Sequence, residues 1–109
     1  MFKIALICQN GASTGMVVRK MKDYAQKNQI DVEISAYPDS MLANIIDDKD
    51  VILIGPQVAF KKASFINAYP DKVAKFTVVN TMDFGMMNGE KILKEAIALI
   101  EKNKKEKHE

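Results

Sequence analysis

Two short runs, Ile4-Ala5-Leu6-Ile7 and Val51-Ile52-Leu53-Ile54, are apolar at every position. A strand with one face in water alternates apolar and polar residues, so an unbroken apolar run of this length fits a strand covered on both faces, inside a parallel sheet. Each run also stops sharply. The first ends at Cys8, ahead of the small and polar residues Gln9 to Gly15, and the second is halted by Gly55-Pro56.

The intervening segments supply the covering layers. After Gly15 a helix is expected, with Val17, Met21, Tyr24 and Ala25 on one side and Arg19, Lys20, Lys22 and Asp23 on the other. Residues 31–36 alternate polar and apolar, as an edge strand would. Pro38-Asp39-Ser40 reads as a helix start leading into Met41, Leu42, Ile45 and Ile46. Residues 57–69 read as a short helix with Val58, Phe65, Ile66 and Tyr69 inward, and residues 75–79 as a fourth strand. Asn88 is placed to cap a last helix carrying Ile92, Leu93, Ala96, Ile97 and Ile100. Strands alternating with helices define a single α/β domain with an open four-stranded parallel sheet and helices on both faces. Two interior-type strands and two edge-type strands imply the order 2-1-3-4, and the switch point then falls between the carboxyl ends of strands 1 and 3, at Cys8 and Gly55.

Composition narrows what such a domain does. A chain of 109 residues, 48% apolar and 28% charged, buries a core without disulfides or metal. Its net charge of +2 does not argue for nucleic acid, since much of the excess lies in Lys102, Lys104, Lys105 and Lys107 of a solvated helix end. The domain is expected over residues 1–103, with 104–109 as a polar tail. No apolar run approaches the roughly 20 residues that span a bilayer, and the N-terminus lacks a cleavage pattern, so a cytosolic protein is expected. One cysteine excludes an internal disulfide, and with His108 as the one histidine no metal site or cofactor is expected. A lone intracellular cysteine is a small buried hydrophobe or a nucleophile.

Its surroundings bear on that choice. In Cys8-Gln9-Asn10-Gly11-Ala12-Ser13-Thr14-Gly15, backbone amides from Gln9 to Gly15 can turn inward around an anion, with Gly11 and Gly15 giving the loop its freedom. The following helix adds its unpaired N–H groups and positive end, and Ser13 and Thr14 add hydroxyl donors. The field that holds a phosphate also favours the thiolate of Cys8. A tight glycine turn after a buried cysteine is the plainer alternative.

A Walker A loop requires Gly-Lys-Ser/Thr, and no lysine occurs here before Lys20. The strand–loop–helix resembles that of low-molecular-weight tyrosine phosphatases, as does the fold it implies. Those enzymes place an arginine where this chain has Thr14, and Arg19 lies too far along the helix to replace it. Without the guanidinium clamp or an Asp-Pro acid pair, the loop is suited to holding a thiophosphate rather than hydrolysing it. A small cysteine-dependent phosphatase and a non-catalytic flavodoxin-like binding module remain the alternatives.

Three stretches carry a further resemblance: Ile4 to Cys8 running into Gly11-Ala-Ser-Thr14, Val51 to Ala59, and Met82 to Lys91. Together they resemble the IIB proteins of the lactose/cellobiose (diacetylchitobiose/β-glucoside) branch of the phosphoenolpyruvate-dependent sugar phosphotransferase system. The resemblance implies that Cys8 is the phosphorylated residue and that a IIA protein donates the group from a phosphohistidine. It further implies an acceptor sugar, a β-linked disaccharide of the cellobiose or diacetylchitobiose type, bound by a membrane IIC protein. The carrier is then cytoplasmic, meets the membrane only through IIC, and is expected to be a monomer.

Gln57 and Asp83 are the rim candidates, since both follow strands that end near Cys8; a helix cap is the other reading of Gln57. Phe84 stands where many relatives of this family have Tyr, and core packing is expected of it. Met16, Met82, Met86 and Met87 are read either as a pliable docking surface for IIA and IIC or as core filler.

Overall fold

The computed structural model describes residues 1–8 and 11–107. β1 (Phe2–Ile7) pairs with β2 (Val32–Tyr37) on one side and β3 (Val51–Ile54) on the other, and β3 pairs with β4 (Phe76–Val78). Every pairing is parallel, and the described strands run in the order 2-1-3-4, as the patterning implied. The pleat divides the two apolar runs between two cores. Ile4, Leu6, Val51 and Leu53 meet α1 (Gly11–Lys27) and α5 (Gly89–Lys107). Ala5, Ile7, Ile52 and Ile54 meet α2 (Leu42–Ile45), Val58 and α3 (Lys62–Ala68). Ile4, Leu6, Ile7, Ile52 and Ile54 are wholly buried, each contributing about 1.5–3 kcal/mol by its removal from water.

The edges follow from chemistry. In β2, Ile34 alone is buried, while Glu33, Ser35 and Tyr37 turn to the opposite face. Lys49 crosses that face: its side chain is 5% exposed, its ammonium meets Glu33 at 2.8 Å and Asp48 at 3.4 Å, and it lies 5.5 Å from the Tyr37 ring centroid. Burial alone would push this ammonium toward the neutral form, but Glu33 and Tyr37 outweigh it and keep its pKa above the ordinary 10.5.

Several boundaries differ from expectation. α1 begins at Gly11, not beyond Gly15, because its buried stripe starts earlier than the apolar residues reveal: Thr14 is 1% exposed and continues the Val17, Val18, Met21 spacing upstream. β2 and β4 are displaced or trimmed by one residue at their ends. In place of one helix over residues 57–69 there is a 3₁₀ stretch Pro56–Lys61, itself interrupted at Val58 (φ −116°, ψ 18°), followed by α3. The 3₁₀ turn Pro70–Lys75 and the short helix α4 (Thr81–Gly85) have no apolar periodicity to announce them. α5 runs on to Lys107, through the lysines expected as a solvated helix end.

Two helices end in the same turn, with a residue other than glycine in the left-handed position. After α1, Ile30 N–H donates to Ala25 C=O and Gln29 N–H to Gln26 C=O, with Gln29 left-handed at φ 56°. After α4, Asn88 N–H donates to Asp83 C=O and Met87 N–H to Phe84 C=O, with Met87 at φ 53°. This second turn delivers Asn88 to cap α5, its Oδ1 accepting from Lys91 N–H at 3.2 Å. It also brings Gly89 against α1, where an added Cβ would stand 2.5 Å from the Lys20 carbonyl carbon and 2.6 Å from Met21 N. Backbone cannot yield as a flexible side chain does. Gly89→Ala is therefore expected to destabilise the fold by about 1–3 kcal/mol, read from the urea midpoint; an unchanged midpoint would show that the α1–α5 contact is loose.

Candidate functional site

Parallel strands all deliver their carboxyl ends to one rim of the sheet. At that rim Cys8 leaves β1 with its N–H bonded to Tyr37 C=O at 3.1 Å, and Gly55 leaves β3 with its N–H bonded to Ile7 C=O at 2.9 Å. Val79 N–H bonds Ile54 C=O at 2.9 Å, so the ladder carries through to the last residues before the loops. Cys8 thus lies between its neighbours at the switch point, 8% exposed. The first turn of α1 follows within three residues of it, beginning at Gly11, and opens its unshared N–H groups toward that rim.

The sequence-predicted residues separate into groups. Gln9 and Asn10 lie outside the described residues, as does His108. Gly11, Ala12 and Ser13 belong to the opening turn of α1 rather than to a loop. Thr14 is buried in the helix's core stripe, and Gly15 sits exposed one turn in, with no positive φ and nothing within 4 Å of the place where a Cβ would be. Gly15 therefore gives the backbone no special freedom here; its amide belongs to the helical ladder, whereas the amides of the turn before it lack intrahelical partners.

Gln57 does reach the thiol. Its Oε1 lies 3.6 Å from Cys8 Sγ, in position to accept the S–H. Asp83 meets Lys91. It lies in α4, whose start is capped by Asn80 Oδ1 accepting from Met82 N–H at 2.9 Å and Asp83 N–H at 3.1 Å. The Asp83 side chain is 8% exposed, and its Oδ2 stands 3.4 Å from Lys91 Nζ of α5 without an aligned hydrogen bond. This carboxylate ties α4 to α5. Phe84 is 5% exposed in the α1–α5 core, as expected of a packing residue.

A feature that sequence reasoning missed joins the two flanks of the thiol strand. The 3₁₀ turn Asp39–Met41 follows β2, and the turn Pro56–Lys61 follows β3; Asp39 and Lys61 form an ion pair across the end of β1. In sequence these are two of many charged residues, and only the 2-1-3 strand order brings them together.

A lone thiol at the switch point of a parallel α/β sheet, ahead of a helix N-terminus, defines a small cysteine-bearing α/β domain. The comparisons name the family. The family model "PTS system, Lactose/Cellobiose specific IIB subunit" matches residues 3–95. The cellobiose-specific EIIB component of Lactococcus lactis subsp. lactis is 41% identical over 102 residues, covering 89% of this chain and 94% of that protein. The galactose-specific EIIB component of Lactococcus lactis subsp. cremoris matches with the same identity and coverage. The oligo-beta-mannoside-specific EIIB component of Bacillus subtilis is 34% identical over 100 residues, covering 92% of this chain and 97% of that protein. Among solved structures, the cellobiose-specific IIB component of Borrelia burgdorferi superposes with a TM-score of 0.80 at 35% identity, covering 93% of each chain. The lactose-specific IIB domain of Streptococcus pneumoniae, at 13% identity and a TM-score of 0.77 (89% of this chain, 95% of that one), shares the fold. The chain belongs to the lactose/cellobiose-specific IIB family of the sugar phosphotransferase system.

The Asp39–Lys61 pair gives a pH prediction. The hydrogen bond from Lys61 holds the Asp39 carboxyl below its ordinary 3.8, with burial acting against it. A depressed carboxylate contributes stability that is present above the unfolded value and lost as pH falls through the folded one. Asp39→Asn is expected to lower the unfolding free energy at neutral pH by a few tenths to about 1 kcal/mol. The gap to wild type closes on acidification below 3.8. A gap that persists unchanged in strong acid contradicts the assignment.

Proposed function

We propose that Cys8 carries a phosphoryl group between two proteins. The Cys8 sulfur attacks the phosphorus of a IIA phosphohistidine in line. The S–P bond forms as the N–P bond breaks, the electron pair returns to the imidazole nitrogen, and the thiol proton goes with it. In the second transfer a sugar hydroxyl held by IIC attacks the phosphorus, the S–P pair returns to Sγ, and the hydroxyl proton is released. Amides of the segment from Gln9 to Ser13, which runs into α1, with the Ser13 hydroxyl, are assigned to the equatorial oxygens in both steps. Neither step needs a metal or cofactor from this chain.

The observation that carries this reading is the position of Cys8: first residue after an interior strand, at the switch point, three residues ahead of the opening turn of a helix, in a chain of this family. Thr14 supports carriage over hydrolysis, because the position where a phosphatase keeps its arginine holds a buried threonine of the helix core. Exposed methionines favour partner exchange at this rim. Met16, Met82 and Met86 are 51%, 70% and 71% exposed, which suits a pliable contact surface better than core filler; Met87 alone of the set packs on the core. The acceptor is assigned as a β-linked disaccharide of the cellobiose type, in line with the relatives named for cellobiose and oligo-beta-mannoside. The carrier acts as a monomer at the cytoplasmic face, and no described helix is long and apolar enough to cross a membrane.

Cys8→Ser is expected to abolish the cysteine-linked phosphate seen by intact mass after incubation with phosphoenolpyruvate, the general phosphotransfer proteins and a cellobiose-type IIA. Its unfolding midpoint should stay close to that of wild type. Continued sugar phosphorylation by the variant would overturn the proposal, and Cys8-dependent hydrolysis of a chromogenic phosphate ester would point to a phosphatase instead.

A further inference from the structure

The turn Gly55-Pro56-Gln57 is built around the thiol. Gly55 has φ −61° and ψ 147°, angles open to any residue, so its backbone does not call for glycine. Space does. A Cβ at this position would stand 3.1 Å from Gln57 Oε1, 3.2 Å from Ile7 O and 3.6 Å from Cys8 Sγ. The missing side chain leaves the gap through which the Gln57 carboxamide folds back onto the end of β1. Pro56 fixes the first position of the 3₁₀ turn, and Val58, wholly buried, anchors the far side with its N–H on Gly55 C=O at 3.0 Å. Gln57 itself is exposed, so the core does not dictate its identity.

A carboxamide presents an acceptor and two donors at the ends of one planar group, and rotation about its last torsion exchanges them. In the resting form Oε1 faces Sγ, as an acceptor for S–H. After transfer the sulfur has lost that proton and bears a phosphoryl group whose oxygens are anionic acceptors. Oε1 would then confront negative charge, whereas Nε2–H would meet it as a donor. We propose that Gln57 turns its carboxamide over with the state of Cys8, accepting from the thiol and donating to the phosphocysteine, so that one neutral residue accommodates both forms. Glutamate in its place would oppose the phosphoryl charge, and leucine would meet neither form.

This inference rests on the carrier reading, and the test separates the two. The full chain, ¹⁵N-labelled, is phosphorylated with phosphoenolpyruvate, the general phosphotransfer proteins and a cellobiose-type IIA, and followed by intact mass and by side-chain amide NMR. The expected result is a displaced Gln57 Nε2–H signal on phosphorylation, with the Gln26 amide on the exposed face of α1 unmoved. At a fixed donor level, Gln57→Leu and Gln57→Glu are expected to lower the phosphorylated-to-resting ratio, the glutamate variant by about tenfold or more, the worth of a hydrogen bond to a charged group. Their unfolding midpoints should match wild type, since a residue with only a structural role would move stability and not this ratio. A phosphorylated wild type whose Gln57 signal does not move, or variants with wild-type ratios, overturn the inference and leave the carrier reading standing. A wild type that takes no phosphate on Cys8 overturns the carrier reading and the inference with it.

Discussion

β1 is hydrogen-bonded to β2 along one edge and to β3 along the other, and both its faces are covered by helices. That double pairing governs the rest of the molecule. A parallel strand in the middle of a sheet has no freedom to slide, because a slip of one residue would move Ile4 and Leu6 from one core into the other. With the register fixed, the residue after Ile7 must emerge at the sheet's carboxyl rim, between the loops that leave β2 and β3. The chain places a sulfur there.

The rim is then assembled from its neighbours. The turn after β2 contributes Asp39 and the turn after β3 contributes Lys61, and their ion pair bridges the strand that carries the thiol. The same β3 turn supplies Gln57, admitted by a glycine that is there for room and not for backbone freedom. α1 starts close behind Cys8 and is held down by a buried stripe that begins with Thr14. The helix start, the sulfur and the carboxamide are therefore positioned by three separate elements, each anchored in a core. Such anchoring suits the proposed exchange with two partners in turn, since the groups are held in place before either arrives. Around it the exposed methionines of α1 and α4 offer apolar contact that can adapt to different surfaces.

The corner beyond β4 serves a different purpose. Asp83, a rim candidate by its place after strand 4, is drawn inward to Lys91 and links α4 to α5. Asn80, Met87 and Asn88 shape the same corner through a cap, a left-handed turn and a second cap. Gly89 then lets α5 settle against the backbone of α1. This corner holds α1 in place from behind, and so bears on the site without touching the sulfur.

The amino-acid sequence by itself determined the sheet, its order and the position of Cys8. Fully apolar strands, an alternating edge strand and regular helical stripes are local patterns that burial writes directly into the chain. It also led to the family, through three stretches whose residues match it. It misplaced the start of α1, because a buried threonine reads as polar, and it passed over α4 and the 3₁₀ turn Pro70–Lys75, which are too short to show a period. Gln57 and Asp83 looked alike from sequence, each a polar residue after a strand. Only the tertiary structure told them apart, since the gap left by Gly55 brings one to Cys8 while the other lies buried beside Lys91. Strand order follows from patterns that each segment carries alone, whereas a side chain's partner depends on segments that meet only when the sheet has closed.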